Sequence, residues 1–194
     1  KKIHPKSPAE AEKLGIAFVP ESRQTEGLIL QQNAESNITL AILRSFAKRM
    51  SGINFKRRRE RAVELIKQLD VRPPYPHMET AKFSGGNQQK IVIAKWLATQ
   101  PKVLIVDEPT NGIDVGAKSE IHHLLRSLAD QGMAIIMVSS ELPEILAVSD
   151  RVLVMRRGRV SALVDGATAT QESLMSHSVQ GGRQDEKEGG PRHG

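Results

Sequence analysis

Two short segments of this 194-residue chain order their side chains in a way that could act on phosphate groups. The first is Val103-Leu104-Ile105-Val106-Asp107-Glu108-Pro109-Thr110, an apolar run that ends in two adjacent carboxylates. If the run is a strand, both carboxylates stand at the carboxyl edge of a sheet, where α/β folds bind ligands. Asp107 can then hold Mg²⁺, directly or through water. Glu108 can orient or deprotonate a water for attack on a phosphoryl group. Asp-Glu-Pro also simply caps strands at protein surfaces, and this segment alone leaves both readings open. The second segment is Phe83-Ser84-Gly85-Gly86-Asn87-Gln88-Gln89-Lys90 at the start of a helical pattern. Ser84 can cap that helix and donate a hydrogen bond, Gly85 and Gly86 let an anion approach the backbone, and the helix N-terminus adds partial positive charge. An ordinary glycine-containing helix start has the same letters.

The elements that would position these groups read as follows. Ser7-Pro8-Ala9-Glu10 is a capping box with proline at the first helical position, so a short helix is expected over about 8–14, with Gly15 as its stop. Ile16–Val19 reads as a buried strand ended by Pro20, followed by a polar loop over 21–28. Between 34 and 82 strand signals are missing: Ile38, Leu40, Ala41 and Leu43 suggest one helix, and Ala62, Leu65, Ile66 and Leu69 a second, ended at Pro73-Pro74-Tyr75-Pro76. From 83 onward strand and helix alternate. A helix is expected over about 87–99, a strand buried on both faces over 103–106, and a helix over 115–130 with Asp114 as N-cap and Gly132 as stop. A strand over 134–138 and a short helix over 143–147 come next. A hairpin then turns at Arg157-Gly158, with strands over 152–155 and 160–163, and a last helix lies over 171–175. The pattern predicts an α/β core with a mostly parallel sheet and a helical insertion. The domains expected are core at 1–33, helical subdomain at 34–82, core again at 83–178, and a disordered Gly-, Arg- and Glu-rich tail at 179–194.

Composition narrows the partners. Apolar residues make up 39% and charged residues 26%, as in globular proteins and unlike collagen, coiled coils or disordered chains. The absence of cysteine excludes a disulfide framework or a thiolate metal site. A formal charge of +6 permits an anionic partner, but 3% aromatics argue against a base-stacking platform, and no nucleic acid is expected. No apolar run reaches the ~20 residues of a membrane span, and no signal peptide opens the chain, so a cytoplasmic place is expected. Lys56-Arg57-Arg58-Arg59, with Glu60 and Glu64 nearby, reads as a solvated helix start. His122 and His123 point about 100° apart on a helix and lack a ligand pair one turn away. Ser139-Ser140 lacks the context of a nucleophile elbow. Arg23 can face a phosphate or a partner protein, and the sequence does not separate the two.

Taken together, Phe83–Gln88 resembles the signature of ABC ATPases, usually Leu-Ser-Gly-Gly-Gln. Val103–Glu108, at the family's spacing, resembles Walker B. Gly112-Ile113-Asp114 resembles the D-loop, with Asp114 as its aspartate, and GIAFVPESRQTEG over Gly15–Gly27 resembles the Q-loop region. The wording FSGGNQQK, DEPTNGIDVGAK and VSSELPEIL looks most like the second cassette of tandem-cassette monosaccharide importers of the ribose, galactose and xylose type. The resemblance covers about residues 1–178. It implies a P-loop NTPase fold in which two cassettes sandwich two ATP molecules. Ser84, Gly85, Gly86 and Asn87 would serve the nucleotide of the partner cassette, Asp107 would help hold Mg²⁺, and Glu108 would be the catalytic carboxylate of this cassette's own site. The implied partners are an upstream cassette, transmembrane permease subunits and, indirectly, a periplasmic sugar-binding protein, with the subunit peripheral on the cytoplasmic face of the inner membrane. An ABC-type ATPase acting on nucleic acid or the ribosome, and a non-catalytic regulatory cassette, are the alternatives.

Departures from the family pattern carry expectations of their own. No G-x-x-x-x-G-K-[ST] occurs, and the chain opens at Lys1 without methionine, so the P-loop is expected upstream and the chain is read as a carboxyl-terminal piece, inactive alone. Glu21 stands at the Q-loop glutamine, and Ser140 at the switch histidine.

Overall fold

A computed structural model describes residues 3–47 and 52–179. The tail expected over 179–194 lies, apart from Val179, outside the described residues. The chain forms two compact units, 1–138 and 139–194.

In the first unit Ser7 caps α1 (Pro8–Lys13), accepting from the Glu10 N–H, and β1 (Ile16–Val19) follows. The polar loop expected over 21–28 contains instead a π-type turn, Arg23–Gly27, whose cap Ser22 accepts from the Thr25 N–H. Next come α2 (Ala34–Thr39), α3 (Phe55–Gln68), α4 (Gly85–Leu97), β2 (Val103–Asp107), α5 (Val115–Asp130) and β3 (Ala134–Val138). The helix expected through Leu43 stops at Thr39, and a 3-10 turn takes over at Leu43–Phe46. Leu40 is exposed, so its apolar side chain does not belong to the buried face that the spacing suggested. α4 begins two residues earlier than expected because Ser84 is its cap.

The three strands run parallel in the order β1-β2-β3, with Val19 beside Val106 and Asp107 beside Val138. Ala17, Val19, Leu104 and Val106 face a core shared with Ile91 and Val92 of α4, Ile121 and Leu125 of α5, and Ile38, Leu65 and Ile66 of the 34–82 stretch. Each of the valine, leucine and isoleucine side chains contributes roughly 1.5–3 kcal/mol by leaving water. Burial on both faces, expected over 103–106, does not hold: Val103 and Ile105 are only half-buried. The alternate residues Phe18, Ile136 and Val138 are 45%, 53% and 49% exposed, because α4 and α5 pack on the opposite side of the sheet. An apolar run reads the same whether one face or two are covered.

The basic run 56–59 is only partly solvated. Arg58 Nε donates to Thr39 Oγ1 at 2.8 Å, and Arg58 and Arg59 both pair with the buried carboxylate of Glu35. Two of the four cations thus tie α3 to α2.

The second unit holds α6 (Leu142–Val148), an antiparallel hairpin of β4 (Arg151–Arg156) and β5 (Arg159–Asp165), and α7 (Gln171–Val179). Arg157 (φ 46°) and Gly158 (φ 76°) form the expected two-residue turn, both left-handed as a tight hairpin requires. Val152, Val154 and Leu174 make its small core. Ser139 Oγ donates to the buried Glu144 carboxylate at 2.5 Å and accepts from the Glu141 N–H, which fixes the entry to α6.

Candidate functional site

Parallel strands bring their carboxyl ends to one edge. Glu21 follows β1 there, and Asp107 and Glu108 end β2. The Glu108 N–H donates to the Val138 carbonyl at 2.8 Å, extending the ladder one residue past the strand. Its own carbonyl accepts from the Asn111 N–H at 3.1 Å, closing a turn in which Pro109 holds the second position. Glu108 takes a left-handed backbone (φ 42°), a conformation that costs a non-glycine residue of order 1–3 kcal/mol and gathers at functional sites.

Glu21 Oε1 accepts from Asn111 Nδ2 at 3.2 Å, so Glu21 lies against the loop that follows Glu108. Asp114 caps α5, its carboxylate accepting from the Ala117 N–H at 2.9 Å. Ser140 is exposed two residues beyond β3.

Ser84 caps α4. Its Oγ accepts from the Asn87 N–H at 3.4 Å and from Asn87 Nδ2 at 2.9 Å, which leaves the hydroxyl hydrogen to be donated elsewhere. Asn87 Oδ1 accepts from the Arg72 N–H at 2.7 Å. Both ends of the Asn87 amide therefore bond within the chain and hold the Ser84 oxygen in place.

The two glycines have packing reasons that the sequence did not reveal. A Cβ on Gly86 would come within 2.6 Å of Ala117 Cβ, so Gly86 sets the close approach of α4 to α5. A Cβ on Gly85 would come within 2.9 Å of Arg23 Nη2 and 3.5 Å of the Gly112 carbonyl. Gly86→Ala is therefore expected to destabilise the chain by about 1–3 kcal/mol through overpacking, which outweighs the ~0.5–1 kcal/mol that alanine gains over glycine in a helix. Adding Ala117→Gly should recover most of the loss. Urea unfolding of the single and double variants checks this, and a neutral Gly86→Ala would refute the packing account.

Arg23, whose role the sequence left open, turns inward. Its Nη1 donates to the Asn111 carbonyl at 2.7 Å and its Nη2 to the Gly112 carbonyl at 3.0 Å. Burial lowers the guanidinium from its ordinary value, but arginine stays charged in proteins. Lys95 of α4 anchors the far end of the same turn, its buried ammonium donating to the Gly27 carbonyl at 2.7 Å. Burial pushes the Lys95 amine below its usual range. Neither Asn111 nor Lys95 stood out in the sequence, since their contacts join segments tens of residues apart.

Among the described residues no group of three or more His, Asp or Glu side chains could hold a metal ion by itself. His122 and His123 add nothing to such a site.

With this geometry in place, comparison with known proteins is decisive. A family model described as ABC transporter matches residues 2–111, more than half of the chain. The chain belongs to the ABC transporter family. It is 49% identical over 181 residues to the ribose import ATP-binding protein RbsA of Bacillus subtilis (strain 168), covering 93% of this chain and 36% of that protein. It is 48% identical over 175 residues to the ribose import ATP-binding protein RbsA of Streptococcus agalactiae serotype III, covering 90% and 35%. The chain thus spans about a third of the length of these curated relatives. Among solved structures, a dimeric ATP-binding cassette in a post-hydrolysis state, bound to ADP and Pi, aligns with a TM-score of 0.66 at 24% identity, covering 83% of this chain and 68% of that one. The ADP conformation of another ABC transporter cassette aligns at 0.72 and 21%, covering 91% and 69%. At these identities the likeness establishes the fold, an ABC ATPase core of the P-loop NTPase type.

Proposed function

We propose that this chain works as the carboxyl-terminal third of the ATP-binding subunit of a monosaccharide importer, where nucleotide-driven closure of two facing cassettes drives uptake. The observation that carries this reading is the 48–49% identity to ribose import ATP-binding proteins over 90% or more of the chain. The sugar is of the ribose, galactose and xylose class, and ATP is the nucleotide.

Each group at the edge has a part in this reading. The free hydroxyl hydrogen of Ser84, with the backbone N–H groups of Gly85 and Gly86 at the α4 N-terminus, meets the γ-phosphate held by the partner cassette. Asn87 serves the same trans contact by fixing Ser84. Asp107 holds Mg²⁺ together with the nucleotide phosphates. A single strand-end carboxylate suits Mg²⁺, which takes one or two carboxylates and completes its shell with phosphates and water. The ion, when bound, neutralises phosphate charge. Glu108 orients the attacking water at this cassette's own site, and its left-handed backbone fixes where the carboxylate starts. Asp114 sets the D-loop, while Glu21 and Ser140 occupy the Q-loop and switch positions. The helical subdomain at 34–82 passes closure on to the permease, which a periplasmic sugar-binding protein loads. No helix among the described residues is long and apolar enough to cross a membrane. We place the subunit at the cytoplasmic face of the inner membrane through its permease.

The test is ATP-dependent uptake of labelled ribose, galactose and xylose by vesicles holding the complete subunit and its permease. Uptake of none of the three removes the reading. A second expectation concerns the 194-residue chain alone. It lacks G-x-x-x-x-G-K-[ST], so nothing in it wraps the β-phosphate. MgATP should bind more weakly than about 1 mM, a regime of ~4 kcal/mol. Micromolar binding in calorimetry would show that these residues hold nucleotide without a P-loop.

A further inference from the structure

Arg23 stands where three segments meet: the turn after β1, the loop after β2 and the N-terminus of α4. Its guanidinium forks onto two successive carbonyls, Asn111 at 2.7 Å and Gly112 at 3.0 Å, 88 and 89 residues away in sequence. The same Nη2 lies 2.9 Å from where a Gly85 Cβ would stand, and Gly112 O lies 3.5 Å from that point. A side chain at 85 would displace the guanidinium from its place between the signature turn and the loop. Two neighbouring carbonyls aimed at one point are best met by two coplanar donors on one cation, and arginine has that fork where lysine does not. The Arg23 Nε–H is buried without a partner. An orphaned buried donor is costly, which argues that the side chain stays for the geometry it imposes. The turn that carries Arg23 is itself pinned, by Lys95 Nζ on the Gly27 carbonyl at one end and by Ser22 at the other. Two residues before Arg23, Glu21 holds the side chain of Asn111, so the loop is gripped by both its main chain and its side chain.

We infer that Arg23 is a positioning residue for the signature: by clamping the Asn111–Gly112 carbonyls against Gly85, it holds the loop after Glu108 in register with the α4 N-terminus that meets the partner cassette's nucleotide. This rests on the signature reading proposed above. Arg23 touches no phosphate; it fixes where Ser84 and the Gly85 N–H stand when the cassettes close. Without the fork the two carbonyls turn away and the loop drifts from α4. Nucleotide still binds at the partner's P-loop, but the closed geometry is misaligned. Misplacement of about 1 Å in a catalytic arrangement is enough to cost ~10²-fold in rate.

The experiment has two readouts. In the assembled transporter, Arg23→Met should lower kcat for ATP by roughly 10- to 100-fold while KM stays within about twofold, the pattern of an interaction made only in the transition state. Arg23→Lys, with one ammonium for two carbonyls, should recover part of that loss. In the 194-residue chain, hydrogen exchange should show the Asn111 and Ile113 amides opening at least ~10-fold faster in Arg23→Met, with Ile91 and Leu104 unchanged. An unchanged kcat, or exchange that is unaltered or uniformly faster throughout, overturns the inference, since the last would mark a general loss of stability. If Arg23→Met does not fold, Arg23→Lys carries the test by the same split of kcat from KM. Gly85→Asp in the same assay separates the two levels. Normal turnover there removes the signature reading itself, whereas a dead Gly85→Asp beside a normal Arg23→Met removes only the role of Arg23.

Discussion

Gly85→Asp in the full-length subunit is expected to abolish transport-coupled ATP hydrolysis while leaving nucleotide binding at the partner cassette's P-loop intact. The substitution does not attack the helix. An aspartate in the first turn of α4 is favourable to the helix dipole by about 0.3–1 kcal/mol. What it attacks is the junction. Its Cβ starts 2.9 Å from Arg23 Nη2 and 3.5 Å from the Gly112 carbonyl, so the carboxylate competes with two backbone oxygens for one guanidinium. It also brings negative charge to the helix terminus proposed to receive a phosphate, replacing attraction by repulsion. Ser84→Arg should give the same loss by bulk and by removing the hydroxyl donor, at an added cost of about 1 kcal/mol for the lost cap. Gly85→Asp is therefore the cleaner probe. Photoaffinity labelling of the upstream P-loop together with steady-state ATPase separates the outcomes, and a variant that closes and hydrolyses at the normal rate would remove the signature assignment.

What could be read from sequence was whatever depends on near neighbours. The caps Ser7, Ser84 and Asp114 act three residues away, and each was visible as a residue type before an apolar pattern. The Arg157-Gly158 hairpin was legible for the same reason. The carboxyl edge followed from a strand ending in Asp107-Glu108, but the left-handed backbone of Glu108 did not, since nothing about glutamate announces it. Gly85 and Gly86 were noticed for an anion, but their packing was not legible: an added Cβ would meet Arg23 and Ala117, residues 62 and 31 positions away. The partners of Arg23 and Glu21 were not legible, because Asn111 and Gly112 lie on another loop and no periodicity links the two loops. The open sheet face escaped for a physical reason too: Phe18, Ile136 and Val138 are as apolar as side chains covered on both sides.

The proposed residue roles predict that the two sites of the assembled transporter do unequal work. Glu108 offers a carboxylate beyond β2, but phosphoryl transfer also needs developing charge to be met by positioned donors. At the position proposed for the switch, this chain has Ser140, which is shorter than histidine and cannot carry charge at neutral pH. Losing one such donor typically costs ~10²–10³ in rate. At the position proposed for the Q-loop, Glu21 puts a carboxylate where the family pattern has a neutral amide, and that carboxylate is held beside Asn111. On the proposed roles, each departure is expected to slow this cassette's own site while sparing the part proposed for Ser84 and Gly85 at the other one. Glu108→Gln should therefore lower steady-state turnover of the assembled transporter less than about 10-fold, while the matching change in the upstream cassette lowers it by ~10² or more. Putting histidine at 140 and glutamine at 21 together should make turnover more sensitive to Glu108→Gln. Steady-state ATPase of the two single variants decides the matter. If Glu108→Gln alone eliminates turnover and the upstream variant keeps most of it, this site is the fast one, and another residue supplies the reach and charge that Ser140 lacks.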